Sequence, residues 1–224
     1  MAISNAATNL LSALLPEWHL LLQGWSADGR LTTAAQEALL LNGEPGALSD
    51  LTNQWSAGEF GALPPIVLLS AADINGALGA YALSTGTIYL NADWLAGATK
   101  DRVIAVLTEE LGHHLDGLLN AVDTPGDEGE YFARLLSGEL LPDAQKNALR
   151  TSPYSGKILI QDSLTSVENA SLSVSTAWIR QFGTTGYETS YGVAAASDGK
   201  IWTASAGRYL VDGAPKTNDS DNLI

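Results

Sequence analysis

Cysteine is absent from the sequence, and basic side chains are few. The 224 residues include 11 lysines and arginines against 25 aspartates and glutamates, for a formal net charge of -14. Without cysteine the chain can form neither disulfides nor thiolate metal ligands. The acidic excess argues against nucleic acid and anionic membrane surfaces as partners, because both would be repelled. Divalent cations and cationic partners are favoured instead.

Long apolar runs are also missing. No run approaches the roughly 20 residues that a membrane span needs, so we expect no membrane insertion. The first seven residues lack a basic stretch followed by an apolar one, so no classical signal peptide is predicted. We expect a secreted or cell-surface protein without such a signal, with a cytoplasmic location as the alternative. The sequence leaves the oligomeric state open.

The order of the predicted elements indicates an α+β fold. Leucines at helical spacing dominate the N-terminal part, and short β-rich runs at 65–70, 80–83 and 87–91 predict a small sheet whose last two strands form a hairpin or are adjacent edge strands. A change of composition after residue 152 predicts a separate β module. The predicted organisation is a helical region at 1–62, a metal-site domain at 63–152, a β-rich appendage at 153–212 and a polar tail at 213–224.

The strongest helical pattern, over residues 99–120, carries the densest cluster of metal-capable side chains. On a helical wheel its leucines form one sector, while Glu109, Glu110 and His113 lie on another face. Glu109 and His113 are one turn apart and can reach the same ion. Glu110 is suited to hold a metal-bound water. A third ligand is expected from a second helix that begins at Asp127 and offers Asp127, Glu128 and Glu130.

These motifs resemble those of a known enzyme family. Residues 109–113, Glu-Glu-Leu-Gly-His, resemble the HExxH helix of zincin metallopeptidases with the first histidine replaced by glutamate. Residues 113–116, His-His-Leu-Asp, resemble the HxxD continuation of some gluzincins. Residues 130–133 resemble the segment in which those enzymes carry a glutamate ligand. The similarity covers about residues 60–140.

The resemblance implies specific roles for four residues. His113 and Glu130 would be metal ligands, Glu109 a substituted ligand and Glu110 the general base. The implied activity is hydrolysis of a peptide or protein substrate by metal-activated water. Because glutamate in place of histidine adds negative charge to the site, the site is expected to favour harder cations more than a typical zincin site does. Zinc is the first expectation, with manganese or calcium as alternatives.

A non-catalytic interpretation remains open beside the peptidase. In it, the chain is a degenerate zincin domain of a secreted surface or adhesion protein that binds a structural cation or no metal. A further group of residues is expected to support the site or to supply alternative ligands. These residues are His114, Asp116, Asp127, Glu128 and Tyr131.

A second resemblance lies downstream. Residues 178–184, Trp-Ile-Arg-Gln-Phe-Gly-Thr, together with 192–202, resemble one β-propeller repeat of secreted bacterial proteins. One blade cannot close a propeller. The segment is therefore expected to be part of a longer chain, a solitary β appendage, an oligomerisation strand or an ordinary β-meander.

Overall fold

The chain divides into two compact units, Met1–Ser173 and Val174–Ile224. The computed structural model describes residues 5–152, 155–160 and 163–170 of the first unit, and strands at 188–195, 201–207 and 222–223 of the second. Helices and a five-stranded sheet occur together in the first unit. The α+β class predicted from the sequence is therefore confirmed.

Helices and strands alternate irregularly along the first unit. Its helices are α1 Asn5–Ala27, α2 Arg30–Ala38, α3 Gly46–Ser56, α4 Ala92–Leu95, α5 Lys100–Leu119, α6 Glu128–Leu136 and α7 Asp143–Thr151. Its strands are β1 Ile66–Leu69, β2 Gly79–Ala82, β3 Thr87–Asn91, β4 Ser155–Ile160 and β5 Ser163–Ala170. The second unit contains β6 Glu188–Ala195, β7 Ile201–Gly207 and β8 Asn222–Leu223.

The N-terminal helices form a scaffold that supports α5. Helix α1 continues through Pro16 and buries Trp18 and Leu22. The indole Nε1 of Trp18 donates a hydrogen bond to the hydroxyl of Thr108 on α5, at 3.1 Å. This buried bond between groups far apart in sequence fixes the position of α5 relative to α1.

The five strands of the first unit lie in the order β1-β3-β2-β5-β4. Strands β1 and β3 are parallel, and β2 pairs antiparallel with β3 as the predicted hairpin. On its other side β2 pairs with β5, which forms a second hairpin with β4. The segment expected to open the β appendage thus extends the main sheet, and the boundary predicted after residue 152 lies inside the first unit.

Burial of apolar side chains explains why this hairpin joins the sheet. Ile158 of β4 and Val167 of β5 are buried in one small cluster with Ala80 and Ala82 of β2 and with Tyr89 of β3. Such burial contributes roughly 25 cal/mol per Å² of apolar surface. The β2–β5 pairing is therefore supported by packing as well as by backbone hydrogen bonds.

Helix α5 is more deeply buried than its helical wheel indicates. Leu118, predicted to face the core, is about half exposed, whereas Glu110, His113 and Asp116 on the other face are buried. That face is buried because α6 packs against it and β5 passes beside it. The carboxylates and the imidazole consequently meet in the interior of the unit.

The strands of the second unit form a sheet in the order β6-β7-β8, with antiparallel pairing. The register of β6 against β7 shifts between Ser190 and Gly192. Residues 178–184 of the propeller-like motif lie outside the described residues. Within the described ranges, no helix combines the length and apolarity needed to cross a membrane.

Candidate metal centre

The site is assembled where α5 and α6 cross, and two glycines allow their close approach. A Cβ atom built on Gly112 would lie 2.8 Å from the Cα atom of Gly129. A Cβ atom on Gly129 would lie 2.5 Å from His113 Nε2 and 2.7 Å from the carbonyl oxygen of Glu109. The backbones are therefore in direct contact, and this contact brings the start of α6 against His113.

Substituting Gly129 with alanine is expected to destabilise the protein by about 1–3 kcal/mol, because the added methyl must displace the His113 ring or the α5 backbone. Urea unfolding would measure the change. Gly24, inside α1, is the matched control, since no atom lies within 4 Å of a Cβ placed there. Alanine at Gly24 should stabilise the protein by up to about 1 kcal/mol. Equal unfolding midpoints for Gly129→Ala and the parent would contradict the close crossing.

Asp127 is held rigidly at the start of α6. Its Oδ1 atom accepts a hydrogen bond from the backbone N–H of Glu130 at 2.7 Å, which is an N-cap arrangement. Its own N–H donates to the carbonyl of Leu149 at 2.7 Å. The preceding Gly126 has a φ of 103° and packs against the backbone of Leu149 and Arg150, where a side chain would clash. Asp127 is 1% exposed, so the cap is also buried.

His113 lies at the centre of the cluster and is 2% exposed. Its Nδ1 atom is 2.6 Å from Glu128 Oε1 and also contacts the carboxylate of Glu168 on β5. Burial by itself lowers the pKa of His113, but the bonds to Glu128 and Glu168 outweigh it, and the pKa lies well above its usual value. The other ring nitrogen, Nε2, is 3.9 Å from Asp127 Oδ1.

Glu109, His113 and Asp127 form a group suited to a divalent cation. One potential ligand atom from each lies within 4.8 Å of those of the other two. Burial, together with the nearby charges of Glu110 and Asp127, raises the pKa of Glu109 well above its usual value. Burial also raises the pKa of Asp127 to about 6. Both carboxylates would be stabilised in their charged form by a bound cation.

Buried polar atoms without hydrogen-bond partners support this interpretation. Among the described residues, such atoms include His113 Nε2 and Asp127 Oδ2 of this group and Oε2 of the neighbouring Glu110. Unpartnered buried polar atoms cost about 1–3 kcal/mol each and are rare in folded proteins. An ion coordinated by His113 Nε2 and Asp127 Oδ2 would satisfy two of them. The residues present therefore fit a divalent metal ion, whose identity the donor set leaves open.

Two further acidic groups share residues with this one. His113, Glu128 and Glu168 form the first, and Asp116, Asp123 and Glu128 form the second. Both ring-nitrogen sides of His113 thus face carboxylates. No sequence pattern predicts Glu168 as a site residue. It lies on a strand far downstream of the helix motifs and reaches His113 only through the β2–β5 pairing.

Asp116 has a structural role that accounts for its burial. Its Oδ1 accepts hydrogen bonds from Thr124 Oγ1 at 2.5 Å and from Asn120 Nδ2 at 2.8 Å. Its Oδ2 accepts from the backbone N–H of Thr124 at 3.0 Å. These bonds fold the loop between α5 and α6 and so help to bring Asp127 and Glu128 back against α5.

Glu110 lies on the sheet side of α5, outside all three groups. It is fully buried, and its Oε1 accepts a hydrogen bond from the backbone N–H of Ala170 at 3.1 Å. Burial raises the pKa of Glu110 to about 8, despite the opposing effect of His113. Gly79 of β2 leaves room for this carboxylate, because a Cβ there would lie 2.5 Å from Oε1.

Three other predicted site residues make their contacts outside the Glu109, His113 and Asp127 group. Glu130 forms an ion pair with Arg134 one turn along α6, and none of the groups formed by the described residues includes it. His114 hydrogen-bonds to the hydroxyl of Tyr81 at 3.0 Å, and burial lowers its pKa. The hydroxyl of Tyr131 donates to Glu37 on α2 at 2.5 Å. The structure thus places Asp127, rather than Glu130, beside Glu109 and His113.

No protein-family model matches this chain, and searches of curated proteins and of solved structures return no similar protein.

Proposed function

We propose that the chain is a metal-dependent, zincin-like peptidase in which Glu109, His113 and Asp127 hold a divalent cation. The observation that carries the proposal is the pair of unpartnered buried atoms, His113 Nε2 and Asp127 Oδ2, beside the Glu109 carboxylate. Buried charges are usually paired or coordinate metals. The motif spacing on α5 agrees with the same role, with Asp127 replacing Glu130 as the third ligand.

The surrounding residues would orient the ligands. The hydrogen bond between His113 Nδ1 and Glu128 holds the imidazole so that Nε2 is directed toward Asp127. A carboxylate on the second ring nitrogen is a common support for a metal-ligating histidine, because it fixes the tautomer and increases ligand basicity. Glu128 would thus position His113 without binding the ion itself.

A cation at this site would supply Lewis acidity toward water and a peptide carbonyl. Glu110 would accept a proton from the attacking water and deliver it to the leaving amine. Its pKa of about 8 in the metal-free protein lies close to neutral pH, where a group can both accept and donate a proton. A backbone nitrogen lies close to Glu110, because the Ala170 N–H donates to Oε1; to protonate a leaving amine, a protonated Glu110 would donate in the opposite direction.

The donor set is richer in oxygen than that of a typical zinc peptidase. Two carboxylates and one imidazole suit manganese as well as zinc, and carboxylates alone suit calcium. We propose zinc as the first candidate and manganese or calcium as the alternatives.

A second candidate function is a structural cation site without catalysis. The observation in its favour is the covering of the site by β5, whose Glu168 contacts His113 and whose Ala170 is completely buried. In this case the ion would stabilise the α5–α6 crossing and would never meet a substrate.

The two candidates are separated by metal titration and a cleavage assay on the same preparation. After chelator treatment, we expect zinc or manganese to bind at about one ion per chain in calorimetry and to raise the melting temperature. A labelled peptide pool should be cleaved only by the metal-loaded protein. Absence of binding up to millimolar metal would overturn the metal centre. Binding and stabilisation without cleavage by any metal would favour the structural role.

A further inference from the structure

Strand β5 runs along β2 as an added peptide strand would. The register pairs Gly79 with Ala170, Ala80 with Asn169 and Tyr81 with Glu168, in antiparallel orientation. The N–H of Leu78 also donates to the carbonyl of Ala170 at 3.0 Å. Strand addition of this kind is a general way to bind an extended peptide, with affinity from main-chain bonds and specificity from alternate side chains.

The same strand reaches two groups of the proposed site. The carboxylate of Glu168 contacts His113 Nδ1, and the N–H of Ala170 donates to Glu110 Oε1. Two positions of β5, two residues apart, thus contact the site: the Glu168 side chain contacts the proposed ligand His113, and the Ala170 N–H contacts the proposed proton-transfer group Glu110. An external peptide paired with β2 in the register of β5 would therefore meet the same two groups.

The attachment of β5 to β2 is shorter than its attachment to β4. Three residue pairs join β5 to β2, whereas six join it to β4. Leu164 at the start of β5 is 72% exposed, and Val167 is the residue of β5 that packs into the small apolar cluster with Ile158. The β4–β5 hairpin therefore keeps most of its own pairing if it separates from β2.

We propose that β5 is a tethered blocking strand that occupies the peptide-binding edge of the centre. Once the hairpin leaves β2, this edge accepts an extended peptide with an acidic residue two positions before a small one, as in Glu168-Asn169-Ala170. The inference rests on the proposed peptidase function, because it assigns that site its substrate class and its means of closure.

A reversible lock on β5 provides the test. Ala80 and Asn169 are directly opposed on β2 and β5, and opposed antiparallel residues have Cα atoms about 4.5–5.5 Å apart, within disulfide range. The double variant Ala80→Cys/Asn169→Cys would therefore tie β5 to β2 when oxidised. The control Lys157→Cys/Ser166→Cys joins another opposed pair, within the β4–β5 hairpin only. Because the native chain has no cysteine, each variant can form a single intramolecular disulfide.

The probe is a fluorescein-labelled peptide with the sequence of residues 163–170, Ser-Leu-Thr-Ser-Val-Glu-Asn-Ala, whose binding to the full chain is followed by anisotropy. We expect the reduced Ala80→Cys/Asn169→Cys protein to bind it at least tenfold more tightly than the oxidised form. Oxidation of the control should change binding less than twofold. Replacing the peptide's glutamate with alanine should weaken binding at least threefold.

A second variant avoids dependence on the disulfide. Val167→Ala removes buried methyl groups that hold β5 in the sheet and should tighten peptide binding at least threefold relative to the parent, with circular dichroism confirming the fold. Equal binding by the oxidised and reduced lock, or no binding to the reduced lock and Val167→Ala at millimolar peptide, would overturn the blocking strand. Lock-dependent binding without cleavage in any metal-loaded form would instead refute the peptidase and leave the strand's role standing.

Discussion

Replacing His113 with alanine is expected to lower the affinity for a divalent cation by about 100-fold or more. His113 supplies the nitrogen of the proposed ligand group, and disturbing even the outer residues of a metal site commonly costs 10- to 100-fold in affinity. The metal-dependent rise in melting temperature should disappear with it. At 100 times the dissociation constant, a bound ligand stabilises the folded state by about 2.7 kcal/mol. Calorimetric titration of chelator-treated protein would measure the affinity.

The chain contains matched controls for this experiment. His114 is the next residue on α5 but bonds to Tyr81, and His19 stacks on Phe60 in the N-terminal scaffold. Alanine at either position should leave the metal affinity within about threefold of the parent. Undiminished binding by His113→Ala would show that the ion is held elsewhere.

A matched pair of carboxylate variants tests the choice of third ligand. Asp127→Asn should weaken binding as His113→Ala does, whereas Glu130→Gln, which affects only the residue paired with Arg134, should not. The opposite pattern would restore the ligand set that the motif resemblance implies.

Replacing Glu110 with glutamine is expected to slow peptide cleavage by at least about 100-fold, with little change in metal affinity. Glutamine keeps an oxygen that can accept the hydrogen bond from the Ala170 N–H, but it cannot carry a proton between water and a leaving amine. General acid–base catalysis commonly contributes 10²- to 10⁴-fold. Initial rates on a labelled peptide, compared at saturating metal, would measure the effect. Cleavage at the parent rate would exclude Glu110 as the proton-transfer group.

Glu110→Gln should also remove part of the loss of stability that the metal-free protein undergoes as pH rises. The pKa of Glu110 is raised from 4.5 to about 8 on folding, so the folded state binds its proton more tightly than the unfolded state does. Stability is therefore lost progressively as pH rises from about 4.5 to about 8. A difference of this size corresponds to on the order of 5 kcal/mol. Glu110→Gln should match the parent near pH 4.5 and exceed it in stability at pH 8.

Neighbouring groups determine the slope that remains in this variant. The pKa of Glu109 and of His113 is also raised, so their contributions fall with increasing pH as well. Glu168 acts in the opposite direction: burial would raise its pKa, but the hydrogen bond to His113 lowers it overall, so its contribution is lost as pH falls below its usual range. Urea unfolding at a series of pH values, with chelator present, would separate these effects. Identical pH profiles for Glu110→Gln and the parent would contradict the burial of an ionisable Glu110.

Local patterns in the sequence were sufficient to predict the elements that carry the site. The apolar spacing of residues 99–120 predicts α5, and the i,i+4 spacing of Glu109 and His113 predicts that both face one side of it. Aspartate before an acidic first turn likewise predicts the start of α6 at Asp127. These predictions succeed because a helix determines the directions of side chains three or four residues apart without help from the rest of the fold.

Partners from distant parts of the chain could not be predicted in the same way. Nothing near Glu168 or Ala170 in the sequence signals contact with His113 or Glu110, since that contact depends on the register of β5 against β2. The burial of the acidic face of α5 likewise depends on which element packs against it. Strand pairing and helix crossing depend on packing between segments that are distant in sequence. Local periodicity contains no information about that packing.

The chain's own sequence thus determined the α+β class, the acidic helix α5 and the supply of metal-capable side chains. Which of these side chains lie next to one another was decided by the tertiary structure alone. The contact between Gly112 and Gly129 places the cap of α6 beside His113, so Asp127 joins Glu109 while Glu130 turns to Arg134. The β2–β5 pairing then covers the centre with a strand of the same chain. A one-residue shift in either contact would present different side chains, and such shifts are excluded only by the packing of the whole unit.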